Sequence, residues 1–320
     1  MHVGVAAVLL ERDDLGAAAD HLALAERLGE HNGLPQNPYR RRLVLAALRE
    51  AQGDLDSALE LLDAADRVYN GDYSPNVRPV PAVRARLRLR RAELDSAEAW
   101  ARARGLSAAD ELSYLHEYEH VTLARLLLAR YREDHDAGAL DEARALLERL
   151  LTSAEAGGRD GTVLELLVLQ ALARSAGGDV PAALAALGGA VTLGRAEGYV
   201  RVFADEGPPM AVLLKALLRR QPADPSVGYV RRLVAAATRG RPRPSAAQGG
   251  LLEPLSDREL DVLRLLVTEL GGPDIARELQ VALSTVRTHT KSIYLKLGVS
   301  SRRAAVRRAA ELDLLRRGSA

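Results

Sequence analysis

Along most of the chain apolar residues recur at i, i+3, i+4 and i+7, the spacing that puts them on one face of an α-helix. The stretches RRRLVLAALREAQG from Arg40 and TVLELLVLQALARSAGG from Thr162 are examples, and each is followed by an acidic turn and a second helical segment. A short pattern marks that second segment five times: DLGAAADHL from Asp14, DLDSALELL from Asp54, ELDSAEAWA from Glu93, ALDEARALL from Ala139 and DVPAALAAL from Asp179. In each, an apolar residue (Leu15, Leu55, Leu94, Leu140, Val180) stands three positions before an alanine (Ala18, Ala58, Ala97, Ala143, Ala183), and the intervals between motifs are 40, 39, 46 and 40 residues. One helix pair cannot bury such a face alone. Stacked pairs can, so the pattern predicts an α-solenoid in which the alanine marks a repeated close approach of helices.

After the fifth motif the period continues through two short helical segments around Val212 and Val230 and then stops at GRPRPSAAQGG, Gly240 to Gly250, where Pro and Gly break any helix. This predicts a repeat domain over 1–239, a linker over 240–250 and a small domain over 251–320. In the small domain Ser256-Asp257-Arg258-Glu259 reads as a capping box, followed by a stripe of Leu260, Leu263, Leu266 and Leu270. Gly271-Gly272 ends that helix, and Pro273 opens the next, with Ile275, Ala276 and Leu279 facing inward. A four-residue turn leads to STVRTHTKSIYLKLG, with Ser284 as N-cap and Gly298 as the stop. At 100° per residue, Val286, Thr290, Ile293 and Leu297 share one side, while Ser284, Arg287, Thr288 and Lys291 fall opposite. The spacing is that of a helix-turn-helix, whose polar face can enter a DNA major groove.

Composition agrees with an all-α fold: aromatics are 3%, with one Phe and one Trp, while Ala, Leu and Arg abound. There is no cysteine, which excludes disulfides and thiolate chemistry and suits a cytoplasmic protein. The first apolar run is too short to span a bilayer and lacks a basic flank, so neither a membrane segment nor a signal peptide is expected. Net charge is +1, but residues 251–320 carry 12 Arg or Lys against 9 Asp or Glu, a balance of +3 that leaves −2 for the first 250. Seven of those bases and no acid lie between Ser284 and Arg308, a local asymmetry that suggests an anionic partner.

LSDRELDVLRLL and PDIARELQVALSTVRTHTKSIYLKLGVSSRRAAVRRAAEL together resemble the LuxR/FixJ-type helix-turn-helix over nearly its whole length. The preceding region, with GDLDSALELL, GLSAADELSYLHEYEH and GYVRVFADEGPPM, is similar to the tetratricopeptide-like solenoid of the large ATP-binding LuxR-type regulators, the maltose-regulon-activator group. The resemblance implies a four-helix DNA-binding module whose third helix enters the major groove of double-stranded DNA and whose last helix, here from Ser301 with Ala305, Val306, Ala309 and Leu312 as its apolar face, serves dimerisation. It places base contacts at Arg287, Thr288 and Lys291, and phosphate or structural roles at Ser284, Thr285, His289, Tyr294 and Lys296. The solenoid would take a small-molecule effector or a protein partner. Two departures stand out. Gly271-Gly272-Pro273 replaces the polar residues that usually cap the second helix. The family's nucleotide-binding loop, G-x-x-x-x-G-K-[ST], is absent, which implies either a fragment or a protein without the ATPase motor.

One motif points elsewhere. HEYEH, His116 to His120, matches H-E-x-x-H, which on a helix holds zinc between two histidines with the glutamate as general base. No third histidine follows at a ligand spacing, and the segment reads as a solenoid helix, so no metal, cofactor or catalytic residue is expected. The expected function is a sequence-specific DNA-binding transcriptional regulator, not an enzyme. The alternative is a solenoid scaffold for protein binding with a degenerate DNA-binding module.

Overall fold

In the computed structural model every regular element among the described residues is helical. Those residues are 1–29, 36–69, 71, 75–220 and 224–238, and, further on, 262–263, 265–267, 270–279, 286, 289–290, 293, 299 and 302–311. The linker stretch 240–250, the capping box at Ser256 to Glu259 and Leu260 lie outside them. The chain divides into two compact units, Met1–Gly240 and Arg241–Ala320.

The first unit is a stack of antiparallel helix pairs: α1 (His2–Glu11) with α2 (Leu15–Arg27), α3 (Asn37–Ala51) with α4 (Leu55–Arg67), α5 (Val80–Arg90) with α6 (Leu94–Arg104), α7 (Glu117–Asp134) with α8 (Ala137–Ala156), and α9 (Asp160–Ala176) with α10 (Val180–Glu197). After a short α11 (Arg201–Ala204) comes a sixth pair, α12 (Pro208–Arg220) with α13 (Val227–Thr238), where the sequence shows two helices but no motif. All five motif alanines, Ala18, Ala58, Ala97, Ala143 and Ala183, are 0% exposed. The residues four positions on, Leu22, Leu62, Ala101, Leu147 and Leu187, are buried with them, so one face of every second helix is sealed against its neighbours. The apolar residue ahead of the alanine is less constant, since Val180 is exposed.

The acidic turns have a common geometry. Asp14, Asp54 and Asp179 each accept a hydrogen bond from the backbone N–H three residues on, an N-cap that satisfies one orphan donor of the helix. Each is preceded by a residue at positive φ: Asp13 (65°), Gly53 (84°) and Gly178 (84°). The N–H groups of Asp14, Asp54, Glu93, Arg159 and Asp179 all donate to a carbonyl five residues back, the closing bond of a Schellman turn. The fourth motif is out of phase. Ala139 stands where the others carry an acid, and Asp136 supplies the cap instead, donated to by Ala139 N–H, so α8 begins almost one turn earlier than the pattern suggests.

The stack also closes on itself. Val200 N–H donates to the Glu11 carbonyl (3.0 Å), Val202 N–H to Glu11 Oε1 (3.0 Å) and Arg12 Nε to the Glu197 carbonyl (3.2 Å), while Arg201 pairs with Asp13 at 3.3 Å. The first helix pair is therefore tied to the segment that follows the fifth, and a partly open pocket lined by residues of α1, α3, α5 and α7 lies beside this closure.

Candidate functional site

The C-terminal unit has a core of its own: Val262, Leu263, Leu266, Ile275, Ala276, Val286, Ile293 and Ala305, with Leu270 and Leu279 packed against it. Leu263, Leu266, Ile275, Ala276 and Ala305 are inward as their helical spacing requires, and Val262 joins them although the leucine stripe omits it. The helix α14 (Gly272–Glu278) starts one residue before Pro273, and Asp274 accepts the N–H of Gly271 at 3.2 Å. Gly271 has no side chain to return that bond, so only half of a capping box forms. In α15 (Arg302–Glu311), Arg302 Nε donates to the Leu266 carbonyl (3.0 Å), which joins the last helix to the first segment of the unit.

Val286 and Ile293, seven residues apart, are 2% and 0% exposed in this one core, and Thr290 between them turns its hydroxyl back to the Val286 carbonyl at 2.8 Å. A seven-residue interval is two helical turns, so these residues form one buried seam. His289, next to the seam, is half-buried. The other candidate DNA contacts, Ser284, Thr285, Arg287, Thr288, Lys291, Tyr294 and Lys296, lie outside the described residues, as do Leu297, Gly298 and Leu312 and the side chain of Ala309.

HEYEH is wired into the solenoid. His116 ends a 3-10 turn (Tyr114–His116) and sits at the N-cap of α7, so only its second histidine is within the helix. Its Nδ1 lies 2.8 Å from Glu119, which also receives Arg104 Nε at 2.7 Å. Burial would raise the Glu119 pKa, but Arg104 and His116 outweigh it and hold the carboxyl below its ordinary value. His120, 3% exposed, contacts the His116 carbonyl (3.0 Å) and Asp110 (3.2 Å). Glu117, in the general-base position of the motif, accepts from Arg159 (2.9 Å) and Thr162 (3.0 Å). Both histidines and both glutamates of the motif therefore have internal partners, and among the described residues no group of three or more His, Asp or Glu could hold a metal ion.

The helical periodicity gives no sign of a charged spine inside the first unit. Glu165 of α9 pairs with Arg86 of α5 (2.7 Å) and Arg125 of α7 (2.9 Å), and Arg125 also holds Glu206. Arg90 of α5 joins Glu50 of α3 (2.7 Å) to Asp205 (3.4 Å), which Arg201 also grips. Burial would raise the Glu165 pKa, yet Arg86 and Arg125 prevail and hold it at about 2. Glu11 behaves in the opposite way. Burial lifts it to about 7 against the lowering pull of the Val202 and Val200 amides, with Asp205 adding to the rise. The local signal is a charge inside an apolar helical run, as with Arg125 in VTLARLLLA and Glu165 in TVLELLVLQ.

Comparison with known proteins follows this division. Residues 1–220 match the family model described as the MalT-like TPR region, and residues 253–309 match that of bacterial regulatory proteins of the luxR family. Among curated relatives, the HTH-type transcriptional regulator MalT of Klebsiella pneumoniae (strain 342) is 26% identical over 309 residues, covering 87% of this chain and 32% of the relative. The protein of the same name from Cronobacter sakazakii (strain ATCC BAA-894) is 26% identical over 312 residues, covering 88% of this chain and 32% of the relative. The chain thus spans about a third of the length of the curated relatives it matches. With its solenoid matched over 220 residues and a luxR-family module behind it, the chain belongs to the MalT-like TPR family of helix-turn-helix regulators.

Proposed function

We propose that this chain is a sequence-specific DNA-binding transcriptional regulator in which residues 251–320 bind double-stranded DNA, residues 240–250 link, and residues 1–239 receive an effector or a protein partner. The observation that carries the reading is the buried seam of Val286 and Ile293 inside a luxR-family match. A helix docked by that seam presents positions 100° to 200° away from Val286 to the outside, and Arg287, Thr288 and Lys291 occupy such positions. Arg and Lys there reach guanine edges and phosphates, and Thr reaches either. Ser284, Thr285, Tyr294 and Lys296 flank them as phosphate contacts, and half-buried His289 braces the helix. The last helix pairs two copies on adjacent half-sites. The chain has no nucleotide-binding loop of the G-x-x-x-x-G-K-[ST] type, so we read it as a binding protein without catalysis of its own. No helix among the described residues is long and apolar enough to cross a membrane.

Selection of binding sites from random duplexes, followed by titration of the selected site against nonspecific DNA, tests this reading. Arg287→Ala is expected to weaken the specific complex by roughly 1–3 kcal/mol and to relax preference at one base position, with thermal stability unchanged. Equal affinity and equal discrimination in Arg287→Ala and the parent would reject the assignment of the groove-facing surface. Failure to select any sequence would favour the scaffold reading.

A further inference from the structure

The first unit holds a partly open cavity of about 780 Å³, within the usual size range of sites for small molecules. One wall is aliphatic, built by Val3, Ala7 and Leu10 of α1 and by Leu43 and Val44 of α3. The rest is mixed: Leu28 and Val83 stand among polar groups that include His2, Arg40, Arg78, Tyr118, Glu50, Arg201 and Asp205. The acids Glu50 and Asp205 already have guanidinium partners, Arg90 for both and Arg201 for the second. Arg78 does not match that pattern. It is exposed, its guanidinium stands 5.7 Å from the centre of the Tyr118 ring, and it forms no ion pair among the described residues. Arg86 packs over the same ring at 3.6 Å, but its charge is taken by Glu165. The cavity thus has an aliphatic wall and, at its rim, a cation that forms no ion pair among the described residues, beside an aromatic face.

We propose that this cavity binds a small amphiphilic organic anion, with its carboxylate on Arg78 beside Tyr118 and its hydrocarbon body against Val3, Ala7, Leu10 and Val44. A guanidinium presents a planar fork of donors that matches a carboxylate, and transfer of the hydrocarbon from water to the aliphatic wall supplies the nonpolar part of the affinity. The cavity is bounded both by Glu11 of the first pair and by Arg201 and Asp205 of the segment bonded to it. An occupant held between α1, α3, Arg78 and Tyr118 binds only the folded unit and so stabilises it against unfolding. The inference deepens the reading of the solenoid as the effector-binding part and rests on it for biological meaning.

The test is calorimetric titration of the full chain with decanoate below its micellar concentration, beside decyltrimethylammonium as the cationic counterpart. Decanoate is expected to bind saturably at one per chain and to raise the melting temperature, with the cation at least tenfold weaker. Arg78→Gln, a change at an exposed position, is expected to weaken decanoate at least tenfold, whereas Arg102→Gln, which removes the same charge outside the cavity, leaves it unchanged. Circular dichroism of each variant confirms that it is folded. No saturable binding, equal binding of the two amphiphiles, or equal affinity in Arg78→Gln and Arg102→Gln would overturn the proposal. A DNA titration on the same samples separates the two readings: loss of specific DNA binding rejects the regulator, while intact DNA binding without decanoate binding rejects only this site.

Discussion

At single residues, the repeated turn and the buried carboxylates carry the sharpest consequences. Ala92 sits at φ 60° in the position where the sister turns have Gly53 and Gly178, and a Cβ there meets the carbonyl that follows it. Ala92→Gly is expected to stabilise the first unit by roughly 0.5–1 kcal/mol, the relief of strain exceeding the added freedom of the unfolded chain. Equilibrium urea unfolding measures it, and a loss of stability would mean that the backbone relaxes at no cost. Glu11 and Glu165 act oppositely with pH. Because Glu11 is raised from 4.5 to about 7 in the fold, its contribution is fully present below about 4.5 and is lost as pH rises through 7. Glu165, held at about 2, contributes above 4.5 and loses that contribution as pH falls toward 2. Glu11→Gln keeps an acceptor for the Val202 amide without the ionisation. Between pH 5 and pH 8 the parent is expected to lose up to roughly 3 kcal/mol relative to this variant. Parallel stability curves for the two proteins would show that Glu11 ionises freely in the fold.

For helices and helix pairs, the sequence was most legible where one physical requirement repeats. The alanine recurs because a larger side chain cannot enter the contact, and all five of these alanines are fully buried. Ala143→Leu is accordingly expected to cost about 1–3 kcal/mol by overpacking, while Ala145→Leu, on the exposed side of α8, stays near neutral. Similar melting temperatures for the two variants would show that the interface yields. Legibility failed where a different residue meets the same need. Asp136 caps α8 one turn before the motif suggests, and the sixth pair has Val230 buried where an alanine would complete the pattern. The charged spine was hidden for another reason. Glu50, Arg90 and Asp205 are far apart in sequence, and no window of helical length reveals that they meet. The closing bonds from Glu11 to Val200 and Val202 span about 190 residues and were equally out of reach. In the C-terminal unit Val286 and Ile293 carry the register of the proposed recognition helix, while the bases of that helix, Arg287, Lys291 and Lys296, lie outside the described residues.

For the whole molecule the question is whether the two units need each other. The C-terminal unit buries its own cluster, from Val262 to Ala305, and separates from the first unit at Gly240. A fragment starting at Leu251 is therefore expected to fold alone and to bind DNA. Its attraction to DNA comes from a stretch, Ser284 to Arg308, with seven bases and no acid. If six or so of these neutralise phosphates, affinity should fall roughly a thousandfold between about 50 and about 200 mM salt, through release of condensed counterions. Val286→Asp places an unpaired charge in the buried seam and should unfold the fragment, because the cost of burying it exceeds what so small a core supplies. Arg287→Ala should leave the fragment folded and weaken only specific binding. Circular dichroism and DNA titration of the three fragments separate these roles. A parent fragment that stays unfolded would place part of its core in the first unit, and a folded Val286→Asp fragment with full affinity would mean that the helix does not dock by this seam.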